Sequence, residues 1–160
     1  MARSDITMTP AEIRDFIAAG HTLQVATLGP DGLPHLAPMW YFPRGDTVAF
    51  RSFTKSQKIV NLRRDPRLTV LLETGERYEE LRGLMIKGTA ELVDDREAVV
   101  AAYAEMAVRY DYPAGSAAQG EIDPETAEQM FGRYAGKNTL VTVRPERVIS
   151  WDHRKLGGAY

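Results

Sequence analysis

The sequence predicts a mainly β protein: an antiparallel barrel with peripheral helices, in one domain spanning residues 1–160. Three observations carry this. About seven short apolar or β-branched runs are separated by turns rich in Gly and Pro. Helical patterns fall between them irregularly, without the βαβ alternation of a doubly wound parallel sheet. The length of 160 residues, with 44% hydrophobic and 26% charged side chains, suits one core and is short for two.

The elements follow in order. Thr9 reads as an N-cap, with Pro10 at the first helical position, Glu12 completing a capping box and Met8 facing Ile13 as a staple. Ile13, Phe16 and Ile17 form the buried stripe, and Gly20 ends the helix. Residues 22–28 read as a strand and Gly29–Gly32 as a turn. Residues 33–42 read as a second strand. Pro34 and Pro38 place it at an edge or bulge, because proline lacks the ladder donor. Pro43–Asp46 turns into a strand over 47–53, and a short helix starts near Ser56 and stops at Asp65-Pro66. Strands follow over 67–73 and 81–93, the latter with Gly83 and Gly88 where the backbone bends or is closely approached. Asp94 is expected to cap a long helix carrying Val99, Ala102, Tyr103, Met106, Ala107 and Tyr110 on one face. A loop over 111–122 leads to a helix begun by Asp123-Pro124, and two strands, 138–143 and 147–151, close the domain.

Composition excludes several functions. The net charge of −2 argues against a nucleic-acid partner. The absence of cysteine removes disulfides, thiol nucleophiles and thiolate metal sites. His21, His35 and His153 lie far apart, so no metal site is expected. No run approaches the roughly 20 apolar residues of a membrane span, and the N-terminus lacks an apolar signal core. The expected setting is the cytoplasm, with no membrane partner.

Two segments carry candidate chemistry. Residues 51–67 hold six of the 20 Lys and Arg residues, with Asp65 as the sole acid. There a strand runs into a helix start, where Ser56, Lys55, Lys58 and free N–H groups converge; such places bind phosphate. Arg63 and Arg64 read as solvated. In the second segment, His35–Phe42, the clustered Met39, Trp40, Tyr41 and Phe42 offer either core filling or an apolar wall for an aromatic ring. Residues 132–137 fail as a P-loop, having too short a spacing and Asn138 where Ser or Thr is needed. A phosphate site beside an aromatic wall suits a borrowed cofactor.

Three motifs in order resemble one family. They are Ser56-x-Lys58-x-x-Asn61-Leu62-x-x-Asp65-Pro66, the ending Pro145–His153, and the opening Ala26–His35. They resemble the pyridoxamine 5'-phosphate oxidase-like superfamily, whose fold is an antiparallel Greek-key split β-barrel. The resemblance implies a homodimer that binds FMN or the deazaflavin coenzyme F420 between subunits and acts on a small-molecule substrate. It implies that Ser56 and Lys58 hold the cofactor phosphate, with Arg51 and Ser52 at the strand end beside them and Lys55 and Asn61 in the same segment. It places His35, Pro38, Met39 and Trp40 along the ring, and brings Trp151 from the partner subunit. Gln57 replaces the Arg of the oxidases' S-R-K, and their closing R-L-H is absent. These departures point away from a vitamin B6 oxidase and toward the deazaflavin-dependent branch. The implied function is an F420-dependent oxidoreductase, a flavoprotein-like reductase. The alternatives are an FMN-dependent oxidase or flavin reductase, or a non-enzymatic flavin- or haem-binding module. No catalytic residue is identified; Tyr41 is a candidate proton donor beside solvent.

Overall fold

In the computed structural model, residues 6–157 are described. Seven strands form one sheet in the order β2-β1-β5-β6-β7-β4-β3, with every neighbouring pair antiparallel. The strands are β1 Leu23–Leu28, β2 Pro34–Met39, β3 Phe42–Arg44, β4 Thr47–Phe53, β5 Arg67–Thr74, β6 Arg82–Val93 and β7 Asn138–Asp152. Four helices surround them: α1 Pro10–Ala19, α2 Gln57–Arg64, α3 Arg96–Tyr110 and α4 Pro124–Ala135. The sheet curls around a core but does not zip shut, because β2 and β3 are its unpaired edges. Pro34 and Pro38 in β2 and Pro43 in β3 remove ladder donors, so both strands suit an edge. The sheet is thus a half-barrel of the split type, the fold that the resemblance implies.

Strand alternation sorts side chains into two cores. Val25, Val48, Phe50, Val70, Ile86 and Val141 fill the inside of the curl, with Ile17 of α1 and Ile59 and Leu62 of α2. On the outer face Ala49 and Leu140 meet Val99, Ala102 and Met106 of α3 and Phe131 of α4. Each fully buried Leu, Ile or Phe contributes about 1.5–3 kcal/mol. These two cores therefore fix where β4 and α2 sit.

The helix starts are mostly as the sequence predicts. Thr9 Oγ1 accepts from the Glu12 N–H, and Glu12 accepts from the Thr9 N–H at 2.7 Å. Asp123 caps α4. The cap of α3 is Asp95, one residue later than expected, accepting from the Ala98 N–H at 2.9 Å. Asp94 is drawn away to Arg63 at 2.8 Å and to the Thr139 hydroxyl at 2.6 Å. Arg63 is therefore exposed but paired, not merely solvated.

Two strand boundaries differ from expectation. The single run 33–42 is split into β2 and β3, which lie at opposite edges of the sheet. Between them Tyr41 plunges into the core and donates to the Ile17 carbonyl at 2.6 Å. It is β3, not β2, that hairpins into β4. Conversely, the two expected final strands are one, β7. Pro145 is accommodated because it faces a register shift at Lys87/Gly88, where the missing donor does no harm. Gly88 is required there, since a Cβ would collide with the Arg144 carbonyl. No helix among the described residues is long and apolar enough to cross a membrane.

Candidate functional site

The corner where β4 delivers the chain to α2 gathers hydroxyls and an ammonium without a carboxylate among the described residues. Ser52 follows Val48 and Phe50 onto the inner face of β4 and is buried. Its Oγ lies 3.0 Å from Ser56 Oγ and accepts from Lys58 Nζ at 3.3 Å. Ser56 occupies the N-cap position of α2 in extended backbone but makes no side-chain cap bond. Its hydroxyl is turned to Ser52 instead, so the first-turn N–H groups keep no side-chain partner. Lys58 has no carboxylate within ion-pair distance among the described residues. Burial holds its pKa below the ordinary Lys value. It is half-buried. Lys55 is exposed on the turn beside it.

Arg51 takes the other face. Its guanidinium stacks on the Tyr103 ring of α3 at 3.5 Å and reaches Asn138 Oδ1 at 3.5 Å. Burial lowers its pKa, and its Nε has no hydrogen-bond partner. The structure thus joins Ser52, Ser56 and Lys58 but directs the Arg51 side chain toward the α3–α4 pair.

Asn61, fully buried, latches α2 to the sheet. Its Nδ2 donates to Thr27 Oγ1 at 3.0 Å and its Oδ1 accepts from Gln57 Nε2 at 2.8 Å. Thr27 is a site neighbour that sequence reasoning missed; a threonine in a β-branched strand gives no signal of its own. Across the β1–β2 ladder Thr27 stands opposite His35, and Leu23 opposite Met39. His35 and Met39 are half-buried on the inner face, and His35 Nδ1 is buried without a partner. Pro38 is exposed on the opposite face. Trp40, past the strand end, stacks on Tyr110 at 4.4 Å and 6°. The four residues expected along one ring therefore divide: two inward, one outward, one against α3.

Trp151 lies at the far end of β7, opposite Gly83, on the outer face of the sheet. A Cβ at residue 83 would strike its indole, which explains that glycine. Within one chain Trp151 is remote from Ser52, whose β7 partner is Thr139. Tyr41 does not serve as a proton donor: it is fully buried, bonded to a backbone carbonyl, and burial pushes its pKa up to about 12.

A cavity of about 1360 Å³ contains none of these residues. It lies between α3, α4 and β3 and is lined by five glutamates and two arginines, the wrong sign for an anion.

Comparison with known proteins identifies the class. Residues 9–152 match the family model described as Pyridoxamine 5'-phosphate oxidase, and the chain belongs to this family of flavin-type cofactor binders. The chain is similar to the conserved hypothetical protein Rv2991 from Mycobacterium tuberculosis, at 41% identity and TM-score 0.82 over 98% of this chain and 92% of that one. An F420 reductase shares the fold at 23% identity and TM-score 0.63, covering 85% and 94% of the two chains. So does HutZ, the heme storage protein from Vibrio cholerae, at 18% identity and TM-score 0.63, covering 88% and 93%. No curated protein matches the chain.

The residues present fit a phosphate-bearing flavin or deazaflavin. The corner offers two hydroxyls, an ammonium and an uncapped helix start, and no carboxylate competes for them. The unpartnered His35 Nδ1 on the adjoining inner face marks a polar atom the protein itself leaves unsatisfied.

Proposed function

We propose that the protein is an oxidoreductase that uses reduced coenzyme F420 on an electron-poor small-molecule substrate. The observation that carries this reading is the corner of Ser52, Ser56 and Lys58, which presents an ammonium and two hydroxyls and, among the described residues, no carboxylate. When bound, the deazaflavin supplies a hydride to the acceptor. The chain's own residues bind and orient. Lys58 and the two hydroxyls hold the phosphate end, and exposed Lys55 extends positive charge outward for a polyanionic tail. The Asn61–Thr27 bond fixes α2 against β1, which sets the distance between the phosphate corner and the inner-face residues His35 and Met39. The buried aliphatic core behind them excludes water from that side.

The functional unit in this reading is a homodimer. The outer face of β2 and β1 is uncovered, with Leu36 65% exposed beside Leu28, Pro34 and Pro38. Contiguous exposed apolar surface of this kind supports an interface with a second copy. Trp151 lies on an outer face as well, where it can reach a neighbouring subunit's groove. Light scattering is expected to report a dimer, and a monomer that still binds cofactor would remove Trp151 from the site.

FMN is the second reading, because the phosphate corner serves either cofactor. Titration of the apoprotein with reduced F420, FMN and haem separates them: F420 is expected to bind tightest, while tight FMN or haem binding without F420 shifts the function to that alternative. Lys58→Ala is expected to weaken cofactor binding by about 1.5–3 kcal/mol, roughly tenfold to hundredfold. Arg64→Ala is the control. Its guanidinium donates to the Leu28 carbonyl, away from the corner. Equal losses in both variants would reduce the cluster to a charged surface.

A further inference from the structure

The cavity between α3, α4 and β3 has no part in the reading above. Helix α3 is apolar on two sides. Val99, Ala102 and Met106 face the sheet and α4. Ala101, Ala104 and Val108, at helical spacing, line the cavity instead, and Ala101 is exposed. The alanines open space where larger residues would have filled it. Phe42, Val100, Ile122 and Ala127 supply a buried apolar floor. A volume of about 1360 Å³ is ample for a small organic molecule.

Charge at the rim decides what kind. Glu105 is paired with Arg44 at 2.6 Å, and Glu128 with Arg96. Arg109 is turned to the backbone carbonyls of Ile17 and Gly20. Glu97, Glu121 and Glu125 are exposed and, among the described residues, receive no ion pair or hydrogen bond from a side chain. Three uncompensated carboxylates therefore surround an apolar floor, and such a mouth attracts cations and repels anions.

We propose that this cavity is a second binding site, specific for an organic cation with an apolar body, such as a hydrophobic amine. The sign of its rim sets it apart from the β4–α2 corner. The apolar body would lie on Phe42, Ile122 and Ala127, and the cationic head would stand among Glu97, Glu121 and Glu125. Affinity then depends on both parts: the floor supplies burial, and the rim supplies discrimination by charge.

The test uses the intact chain and three probes at concentrations below micelle formation: decyltrimethylammonium, decanoate and tetramethylammonium, each titrated by calorimetry. Saturable binding is expected for decyltrimethylammonium alone, at one site per chain. Glu97→Gln/Glu121→Gln/Glu125→Gln is expected to weaken it roughly tenfold, from loss of three near-surface charge interactions. Ala101→Phe projects a ring into the cavity from an exposed helix position and is expected to weaken binding at least tenfold with an unchanged unfolding midpoint. Glu97→Gln alone offers a milder variant should the triple one fail to fold, with a smaller loss in the same direction. Equal binding of decanoate, or undiminished binding by Ala101→Phe, overturns the proposal. So does a change of oligomeric state in Ala101→Phe, which would assign the cavity to a second copy of the chain. F420 or FMN titration in the same variants is expected to be unaffected.

Discussion

The two ends of β7 treat buried charge in opposite ways. At its start, beside Asn138 and Thr139, Arg51 and Lys58 are partly desolvated cations that form no ion pair with a described carboxylate. At its end, Asp152 is a carboxylate only 1% exposed, held by Arg154 at 2.6 Å and by Arg82 at 3.2 Å, the latter an ion-pair contact too bent for a hydrogen bond. The Asp152 end is electrostatically complete and serves the fold, tying β6, β7 and the closing 3-10 turn at 153–156. The Lys58 end is incomplete, and a group that burial leaves without a counter-ion is one that an anionic ligand can satisfy. Structural and binding charge differ here in whether a buried group has a partner, not in the number of basic residues nearby.

The largest effect expected from breaking this contrast is at the complete end. Asp152→Ala strands Arg82 beside the core, and removal of one member of a buried ion pair destabilises by about 3–5 kcal/mol. Urea denaturation is the measurement. Lys58→Ala should move the urea midpoint little and cofactor affinity strongly, the reverse pattern. If both variants shift stability alike, the two ends are not different in kind.

Protonation probes the same contrast with smaller effects. The Arg154 hydrogen bond, chiefly, holds the Asp152 pKa below its ordinary 3.8. A carboxyl depressed by folding contributes stability that is present above its unfolded value and is lost as pH falls through the folded one. Stability is therefore expected to decline below about pH 4, and Asp152→Asn should flatten part of that decline. At the other end, burial lowers the pKa of Lys58 from 10.5. Cofactor affinity should then fall on the alkaline side before that value is reached, as the ammonium loses its proton. Lys58→Arg, whose guanidinium stays charged, should abolish this alkaline limb; a limb that persists would belong to another group.

The smallest effect concerns caps. Asp123→Ala removes a working N-cap, whose loss costs about 0.5–2 kcal/mol. Ser56→Ala removes a hydroxyl that caps nothing, so it should cost less stability than Asp123→Ala. It should instead weaken cofactor binding by about 0.5–1.5 kcal/mol, a few-fold to about tenfold. A stability loss at Ser56 equal to that at Asp123 would make it an ordinary cap.

Local rules were legible in the chain itself. Thr9, Pro10 and Glu12 specify the start of α1, Asp123-Pro124 that of α4, and Asp65-Pro66 the end of α2, because capping and proline sterics involve only residues a few positions apart. The family and the mainly β class were legible too, since strand-forming runs and the Ser56–Pro66 motif are contiguous. Tertiary structure decided the rest. Residues 138–143 and 147–151 looked like two strands, yet a bulge opposite Gly88, far away in sequence, lets β7 run through Pro145. Residues 33–42 looked like one strand, yet burying Tyr41 against Ile17 splits the run between opposite edges of the sheet. Arg51 and Ser52 are adjacent in the basic segment, but the two-residue period of a strand sends them to opposite faces. Which charges remain uncompensated after such choices depends on pairings between distant residues, Arg63 with Asp94 and Arg44 with Glu105 among them. A sequence names its charged residues; only the folded chain decides which of them keep a partner.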